Sequence, residues 1–310
     1  MITSLHMIWN PSEGIDLGFF KLRYYSLMFV VAFGLGWYLM KKVFDREGET
    51  TDNLDKLFIY TVFATLIGAR LGHVFFYDWD KYKDNLLEIF QPVRFEPKFE
   101  IIGFSGLASH GAAIAIVLVM IYYSRNVIKK PILWILDRIT IPIAIGGMFV
   151  RFGNFFNSEI IGHETTSSFG IKFIRDKFTP QDAMNLTGIP DANKAFDAIA
   201  TNPQFTPLLE AVLVKHPTQL YEAFGYFITF LIVLYLYWKT DARLYSGRIF
   251  GVFLILLWGV RFIVEYVKES QGGFEDALGE IFSTGQWLSI PFIIVGFYLL
   301  ITSKHKKISQ

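Results

Sequence analysis

The sequence predicts an all-α polytopic membrane protein with seven transmembrane helices, an outside N-terminus, a cytoplasmic C-terminus and a small periplasmic head. Three observations predict this fold class. First, hydrophobic residues make up 53% of the 310-residue chain and charged residues only 18%, against about 25% charged in a soluble domain. A water-soluble globule of this size lacks the interior to hide so much apolar surface, and disorder is excluded on the same grounds. Second, long apolar stretches recur at the length needed to cross a bilayer, about 20 residues each. Third, Lys and Arg collect in alternate loops, the mark of cytoplasmic segments.

The spans, in order, are Tyr24 to Met40, Leu57 to Tyr77, Ile101 to Ser124, Leu133 to Phe156, Thr218 to Trp238, Ile249 to Val267 and Ile281 to Ser303. Met1 to Phe20 lacks a basic leader and contains Pro11, Glu13 and Asp16, so it is not expected to be a cleavable signal peptide. The first span is followed by Lys41, Lys42, Arg46 and Lys56, the third by Arg125, Lys129 and Lys130, the fifth by Lys239, Arg243 and Arg248, and the last by Lys304, Lys306 and Lys307. Placing these loops in the cytoplasm puts the N-terminus outside and requires an odd number of spans. The organisation expected is residues 1–156 as helices one to four, with a short outer arm near 78–100, then 157–216 as a head, then 217–310 as helices five to seven with a short tail. The head is read as folded because Phe169, Phe173, Phe178, Phe196 and Phe205 need burial.

A net charge of +1 gives no basic field for nucleic acid. The absence of Cys excludes disulfides, a Cys-based metal site and a Cys nucleophile. No metal or other cofactor site is suggested.

Ionisable groups inside a span are costly and point to function. At about 1.5 Å per residue, Arg70 lies roughly 20 Å up from the inner end of its span, Arg151 about 27 Å and Arg261 about 18 Å. Counted down from outside, Glu222 is about 6 Å deep and His110 about 14 Å. All fall at or above the midplane on the outer side, where three arginines outnumber the nearby carboxylates. Interhelical ion pairs that only fix packing are the bland explanation. An excess of planar guanidinium forks suits a bound phosphate, and at that depth the natural anion is a phospholipid headgroup. Arg138, at the inner end of the span holding Arg151, is outside this group and is expected to tolerate Lys.

The strongest local signal is Arg151-Phe-Gly153-Asn154-Phe155-Phe-Asn157-Ser-Glu159. Gly153 permits close backbone approach, and Asn154 and Asn157 stand one turn apart on one face. A polar helix end followed by a loop explains the Asn and Glu residues, but not an Arg inside an apolar run.

This segment resembles the signature of the prolipoprotein diacylglyceryl transferase family. Other stretches agree in order: Leu22 to Met28 with its Tyr25, Gly68-Ala69-Arg70-Leu71-Gly72, His110-Gly111, His216-Pro217-Thr218-Gln219-Leu220-Tyr221-Glu222, Arg261-Phe262-Ile263-Val264-Glu265, and Gly285-Gln286-Trp287-Leu288-Ser289-Ile290-Pro291. The similarity spans nearly the whole chain except about 162–215. Departures are Val150 for a usual Gly, Ala112 for a second Gly after His110-Gly111, Leu257 for a Tyr, and Lys268 for an Arg.

The resemblance implies an enzyme of the bacterial cytoplasmic (inner) membrane, its active site facing the outer leaflet. It would transfer the diacylglyceryl group of phosphatidylglycerol to the lipobox Cys thiol in a prolipoprotein signal peptide. His110, Arg151 and Arg261 would be catalytic, with His110 the best candidate base for the thiol. Alternatively an arginine activates the thiol and His110 only orients lipid. Tyr25, Arg70, Asn154, Asn157, Glu159, Gln219, Glu222 and Glu265 would bind or support the headgroup, with Glu159 and Glu265 holding the arginines. Partners would be phosphatidylglycerol, the prolipoprotein and membrane lipid, with no nucleic acid.

Two other classes are weaker. Gly103-Phe104-Ser105-Gly106 resembles the nucleophile motif of rhomboid-like intramembrane serine proteases, but the last two spans supply no His base. A secondary transporter would show inverted repeats and midplane polar sites, which are not visible here.

The loop charges yield a direct test of orientation. In the Cys-free chain, an impermeant thiol reagent applied to intact cells should label Asn185→Cys and not Lys306→Cys. Equal or reversed labelling would refute the orientation.

Overall fold

The computed structural model describes residues 6–18, 21–84, 86–90, 93–94, 100–101, 106, 108–270 and 281–303. Gly103, Phe104 and Ser105 of the protease-like motif, and the tail lysines Lys304, Lys306 and Lys307, lie outside the described residues.

The described chain is mostly helical. Its long helices are α1 (Tyr24–Glu47), α2 (Thr51–Tyr77), α4 (Ser109–Asn126), α5 (Ile132–Phe156), α10 (Thr218–Lys239), α11 (Arg248–Val264) and α12 (Thr284–Thr302). Six of these, all but α4, are apolar and long enough to cross a membrane, and the chain is a polytopic membrane protein. The sequence placed the third span from Ile101. Instead, Ile101 belongs to a two-residue strand paired with Val93, and α4 begins only at Ser109. Gly106, at φ +75°, precedes that helix in a conformation that excludes helical continuation.

The short elements are α3 (Trp79–Tyr82), α6 (Ile174–Lys177), α7 (Pro180–Thr187), α8 (Ala192–Thr201) and α9 (Thr206–Glu210), with strands β1 (Met7–Trp9), β2 (Gly14–Asp16), β3 (Lys21–Arg23), β4 (Val93–Arg94), β5 (Glu100–Ile101), β6 (Ile171–Phe173) and β7 (Val214–Lys215). β6 is the centre of a three-stranded sheet, parallel to β1 and antiparallel to β7. β2 and β3 form an antiparallel pair, as do β4 and β5.

The chain divides into two compact units, one of residues 1–39 and 137–310 and the other of residues 40–136. In the larger unit, residues 157–216 build a core of their own. Ile174, Phe178, Ala183, Ala195, Phe196, Ile199 and Val212 pack together. Thr179 closes a capping box with Asp182 at the start of α7, and Gly188 ends that helix at φ 73°. Four of the five phenylalanines read as needing burial are buried or half-buried, but Phe169 is 76% exposed. It sits in the turn closed by Gly170 N–H on Ser167 C=O, where no element covers it.

The membrane helices of this unit meet through glycine. Gly251 of α11 faces Gly296 of α12, where an added Cβ would lie 2.8 Å from the opposing carbonyl oxygen. Without a hydrophobic drive between helices in lipid, such backbone approach is how dispersion holds a pair together. α11 is also capped from a distance. The Asp137 carboxylate, on α5, accepts the backbone N–H of Gly247 at 2.7 Å and of Phe250 at 2.9 Å. Its neighbour Arg138 is only 2% exposed. A Lys there would leave part of a buried guanidinium site unfilled, so its burial argues against the tolerance to Lys expected of Arg138.

In the smaller unit, α2 and α4 cross at Gly68, Gly72 and Gly111. A Cβ on Gly72 would fall 2.6 Å from the Gly111 Cα. α2 is started by Thr50, whose side chain accepts from Asn53 N–H, and Tyr123 of α4 donates to the Asn53 carbonyl at 2.9 Å.

Close helix approach makes a prediction. Gly72→Val inserts a branched side chain against backbone and should destabilise the protein by about 1–3 kcal/mol or more. Gly259→Ala, where nothing among the described residues lies within 4 Å of the added carbon, should be near neutral. Thermal melting in detergent measures both; equal effects would contradict the packing.

Candidate active site

α5 ends in the segment that carries most of the site. Arg151 projects from its last turns and forms an ion pair with Glu222 of α10, Nε to Oε2 at 2.6 Å, in which the carboxylate is 1% and the guanidinium 13% exposed. Arg151 Nη1 also donates to Asn154 Oδ1 at 3.2 Å. Asn154 Nδ2 donates onward to Glu159 Oε1 at 2.9 Å, and Asn157 Nδ2 reaches the same oxygen at 3.4 Å. The Tyr25 ring lies on Gly153, where a Cβ would fall 2.8 Å from its Cδ2, and its hydroxyl bonds with Asn154. Trp9 stacks on Phe155 at 4.0 Å and donates Nε1–H to the Phe155 carbonyl at 2.8 Å, tying β1 to the end of α5.

Glu159 is held by an unusual backbone. Ser158 and Ile160 on either side adopt φ 52° and 60°, a left-handed conformation that is an outlier for a β-branched residue. Two buried side chains at the start of α10 fix it: Gln219 Nε2 donates to the Glu159 carbonyl at 2.6 Å and Thr218 Oγ1 to the Ile160 carbonyl at 2.7 Å. The chain then runs past Gly162, where a Cβ would meet His216 and Thr218 at 2.7 Å. Backbone bonds join 161–163 to His216 on one side and to Val267 and Glu269 on the other. Nearby, Lys215 bridges Asp176 and Glu269, each at 2.8 Å. Burial lowers the Lys215 pKa, but these carboxylates more than offset it and leave it above the ordinary value.

Arg261 lies on α11 with its guanidinium 5.4 Å from the Trp258 ring centroid, and its buried Nε has no hydrogen-bond partner among the described residues. Glu265, one turn on, does not hold it. Glu265 Oε1 accepts a hydrogen bond from Lys268 Nζ at 2.7 Å, both side chains being under 10% exposed, and it packs against Gly285 of α12. The sequence assigned Glu159 and Glu265 to the arginines. The carboxylate that touches Arg151 is Glu222, Glu159 reaches it only through Asn154, and Glu265 serves Lys268.

One buried group escaped the sequence reading. Tyr226, a turn after Glu222 on α10, is 5% exposed. Its ring faces the Arg151 guanidinium at 5.9 Å, and Arg151, Glu222 and Arg261 all act on it electrostatically. An aromatic within a hydrophobic helix carries no signal by itself; only its spacing of four from Glu222 could have marked it.

Tyr25, Arg151, Asn154, Asn157, Glu159, Gln219, Glu222, Arg261 and Glu265 thus belong to the larger unit, and Arg70 and His110 to the smaller. There His110 opens α4, exposed, its ring edge-on to Phe76 at 4.9 Å and 5.7 Å from Tyr77. Arg70 has a local task. It is 6% exposed and donates Nε–H to the Ile89 carbonyl at 2.7 Å and Nη2–H to the Tyr82 hydroxyl at 3.1 Å. Burial raises the Tyr82 phenol, while the hydrogen bonds from Arg70 and Lys81 more than offset this and leave its pKa below the ordinary value.

A family model described as prolipoprotein diacylglyceryl transferase matches residues 13–302. The chain is 35% identical over 302 residues to the phosphatidylglycerol–prolipoprotein diacylglyceryl transferase of Tolumonas auensis, covering 97% of this chain and 99% of the relative. It is 34% identical over 304 residues to the protein of that name from Chloroherpeton thalassium, covering 98% and 96%. A third, from Porphyromonas gingivalis, is 38% identical over 291 residues, covering 93% and 90%.

The contacts of Arg70 predict a loss of stability on substitution. Arg70→Lys keeps the charge but cannot serve Ile89 and Tyr82 with the same fork, and should cost about 1–3 kcal/mol. Limited proteolysis of 79–90 should quicken accordingly. An unchanged melting temperature and cleavage rate would reject this clamp.

Proposed function

The chain belongs to the prolipoprotein diacylglyceryl transferase family, and from that premise we propose how its residues perform the reaction. The protein is a transferase. It moves the diacylglyceryl group of phosphatidylglycerol to the lipobox Cys thiol of a prolipoprotein, forming a thioether and releasing glycerol phosphate in the first step of lipoprotein maturation. The thiolate attacks the glycerol carbon that bears the phosphodiester. The carbon–sulfur bond forms as the carbon–oxygen bond to phosphate breaks, and the electron pair leaves on the phosphate.

One observation carries the residue assignment: two guanidinium groups, Arg151 and Arg261, and one carboxylate, Glu222, act electrostatically on the same buried group, Tyr226, and Glu222 pairs with Arg151. One positive charge is in excess there, and the buried Arg261 Nε–H lacks a hydrogen-bond partner among the described residues. A buried excess cation calls for an anion, and the leaving phosphate, whose charge grows in the transition state, is that anion. Asn154, Asn157, Glu159, Gln219 and Tyr25 support the Arg151 end. His110 takes the proton of the thiol, because a thiolate is the nucleophile and imidazole is the side chain whose ordinary pKa lies near operating pH.

The same reading extends to the membrane. α4 is the seventh span, the N-terminus is outside and the C-terminus cytoplasmic. The segment 157–216 is a periplasmic head, the membrane is the bacterial inner membrane, and the site opens to its outer leaflet. The acceptor is a signal peptide presenting its lipobox Cys.

Purified protein with labelled phosphatidylglycerol and a lipobox peptide tests this. Arg151→Lys and Arg261→Lys should each lower transfer by roughly a hundredfold through loss of the bidentate fork. His110→Asn should lower it by about a hundredfold or more, and the exposed Arg125→Lys should leave it unchanged. Near-normal activity in any of the first three would remove the role given to that residue.

A further inference from the structure

Tyr226 occupies a three-helix junction. On α10 it follows Glu222 by four residues and shares its face. On α5 its ring lies against Gly147, where a Cβ would come within 3.1 Å of Cδ2, one turn before Arg151. On the side of α11, Gly225, the residue before Tyr226, packs directly on Val260, the residue before Arg261. The phenol ring is therefore wedged 5.9 Å from the Arg151 guanidinium carbon, with its hydroxyl close enough to interact with Arg151. Gly147, with no side chain, leaves it the room to be there.

Arg151 is then held from three directions: Glu222 at Nε, Asn154 at Nη1, and the Tyr226 phenol, whose ring centroid lies 5.9 Å from the guanidinium carbon. A guanidinium carries five N–H donors in a fixed plane. Three contacts fix that plane and its direction while leaving donors uncommitted. Resting on the transfer reading above, we propose that Tyr226 is a positioning residue for the phosphate-gripping pair, aiming the Arg151 fork so that its free N–H groups meet the leaving phosphate. Its effect falls on the transition state. The charge of Arg151 attracts the lipid headgroup from a range of orientations, whereas the aim of the fork counts most as charge gathers on the departing oxygen.

Tyr226→Phe tests this by removing only the hydroxyl and keeping the ring against Gly147. With phosphatidylglycerol and a lipobox peptide, kcat per mole of folded protein should fall about tenfold. KM for phosphatidylglycerol should stay within about twofold, and the melting temperature should be close to that of the wild type. An unchanged kcat would overturn the proposal, as would a rise in KM with kcat preserved, which would make Tyr226 a headgroup-binding residue. A lower melting temperature with wild-type kcat per folded mole would reduce it to a packing residue and overturn it equally. An inactive wild type would overturn the transfer reading, and the proposal with it, which separates the two failures.

Discussion

The ion pair between Arg151 and Glu222 is the constraint on which the rest of the site depends. Both groups sit in helices long and apolar enough to cross a membrane, and the carboxylate is almost completely sealed. Moving either ion out of water alone would cost several kcal/mol, so each needs the other within hydrogen-bond reach. That need fixes the axial register of α5 against α10. Once the register is set, Asn154 falls beside the guanidinium, Gln219 beneath Glu159, and the Tyr226 ring opposite Arg151. The pair is a poor source of stability by comparison with well-packed apolar residues.

A second constraint is backbone shape around Glu159. Left-handed conformations at Ser158 and Ile160 each cost of order 1–3 kcal/mol and persist only where the surroundings over-determine them. Here the surroundings are buried and specific: Gln219 and Thr218 hold the two carbonyls, while Gly162 lets the chain pass against His216 and Thr218. The result aims an exposed carboxylate back onto two asparagine amides. Strain is spent on a polar relay that ends at Arg151, which links the local backbone to the chemistry.

Glycine governs how closely the helices meet. Gly68, Gly72 and Gly111 in one unit, and Gly251 and Gly296 in the other, bring backbones together where any side chain would intrude. Such contacts replace the hydrophobic drive that lipid-exposed helices lack. Polar ties then act over long sequence distances. Asp137 caps α11 by accepting from Gly247 and Phe250, and Arg70 gathers Ile89 and Tyr82 onto α2. Each is a buried charge made tolerable by its hydrogen bonds.

The sequence by itself determined that this is a helical membrane protein, because the thickness of hydrocarbon imposes a length of apolar chain that is visible without any tertiary information. It also singled out candidate residues, since Arg151, Arg261 and Glu222 are conspicuous in apolar runs and the run from Arg151 to Glu159 is short and ordered. Tertiary structure alone decided the partnerships. Glu222 instead of Glu159 meets Arg151 directly, Glu265 goes to Lys268 and leaves Arg261 without it, and Arg70 serves the backbone of Ile89. Arg138 proved deeply buried, Phe169 exposed, and α4 began at Ser109 instead of Ile101. Tyr226 carried no signal until α5, α10 and α11 were seen to close around it. The physical reason is common to all of these. Hydrophobic length and intramembrane charge are properties of a segment, whereas pairing depends on distances between segments far apart in sequence, 71 residues for Arg151 and Glu222 and 110 for Asp137 and Gly247, set by helix crossings that glycine and register decide together.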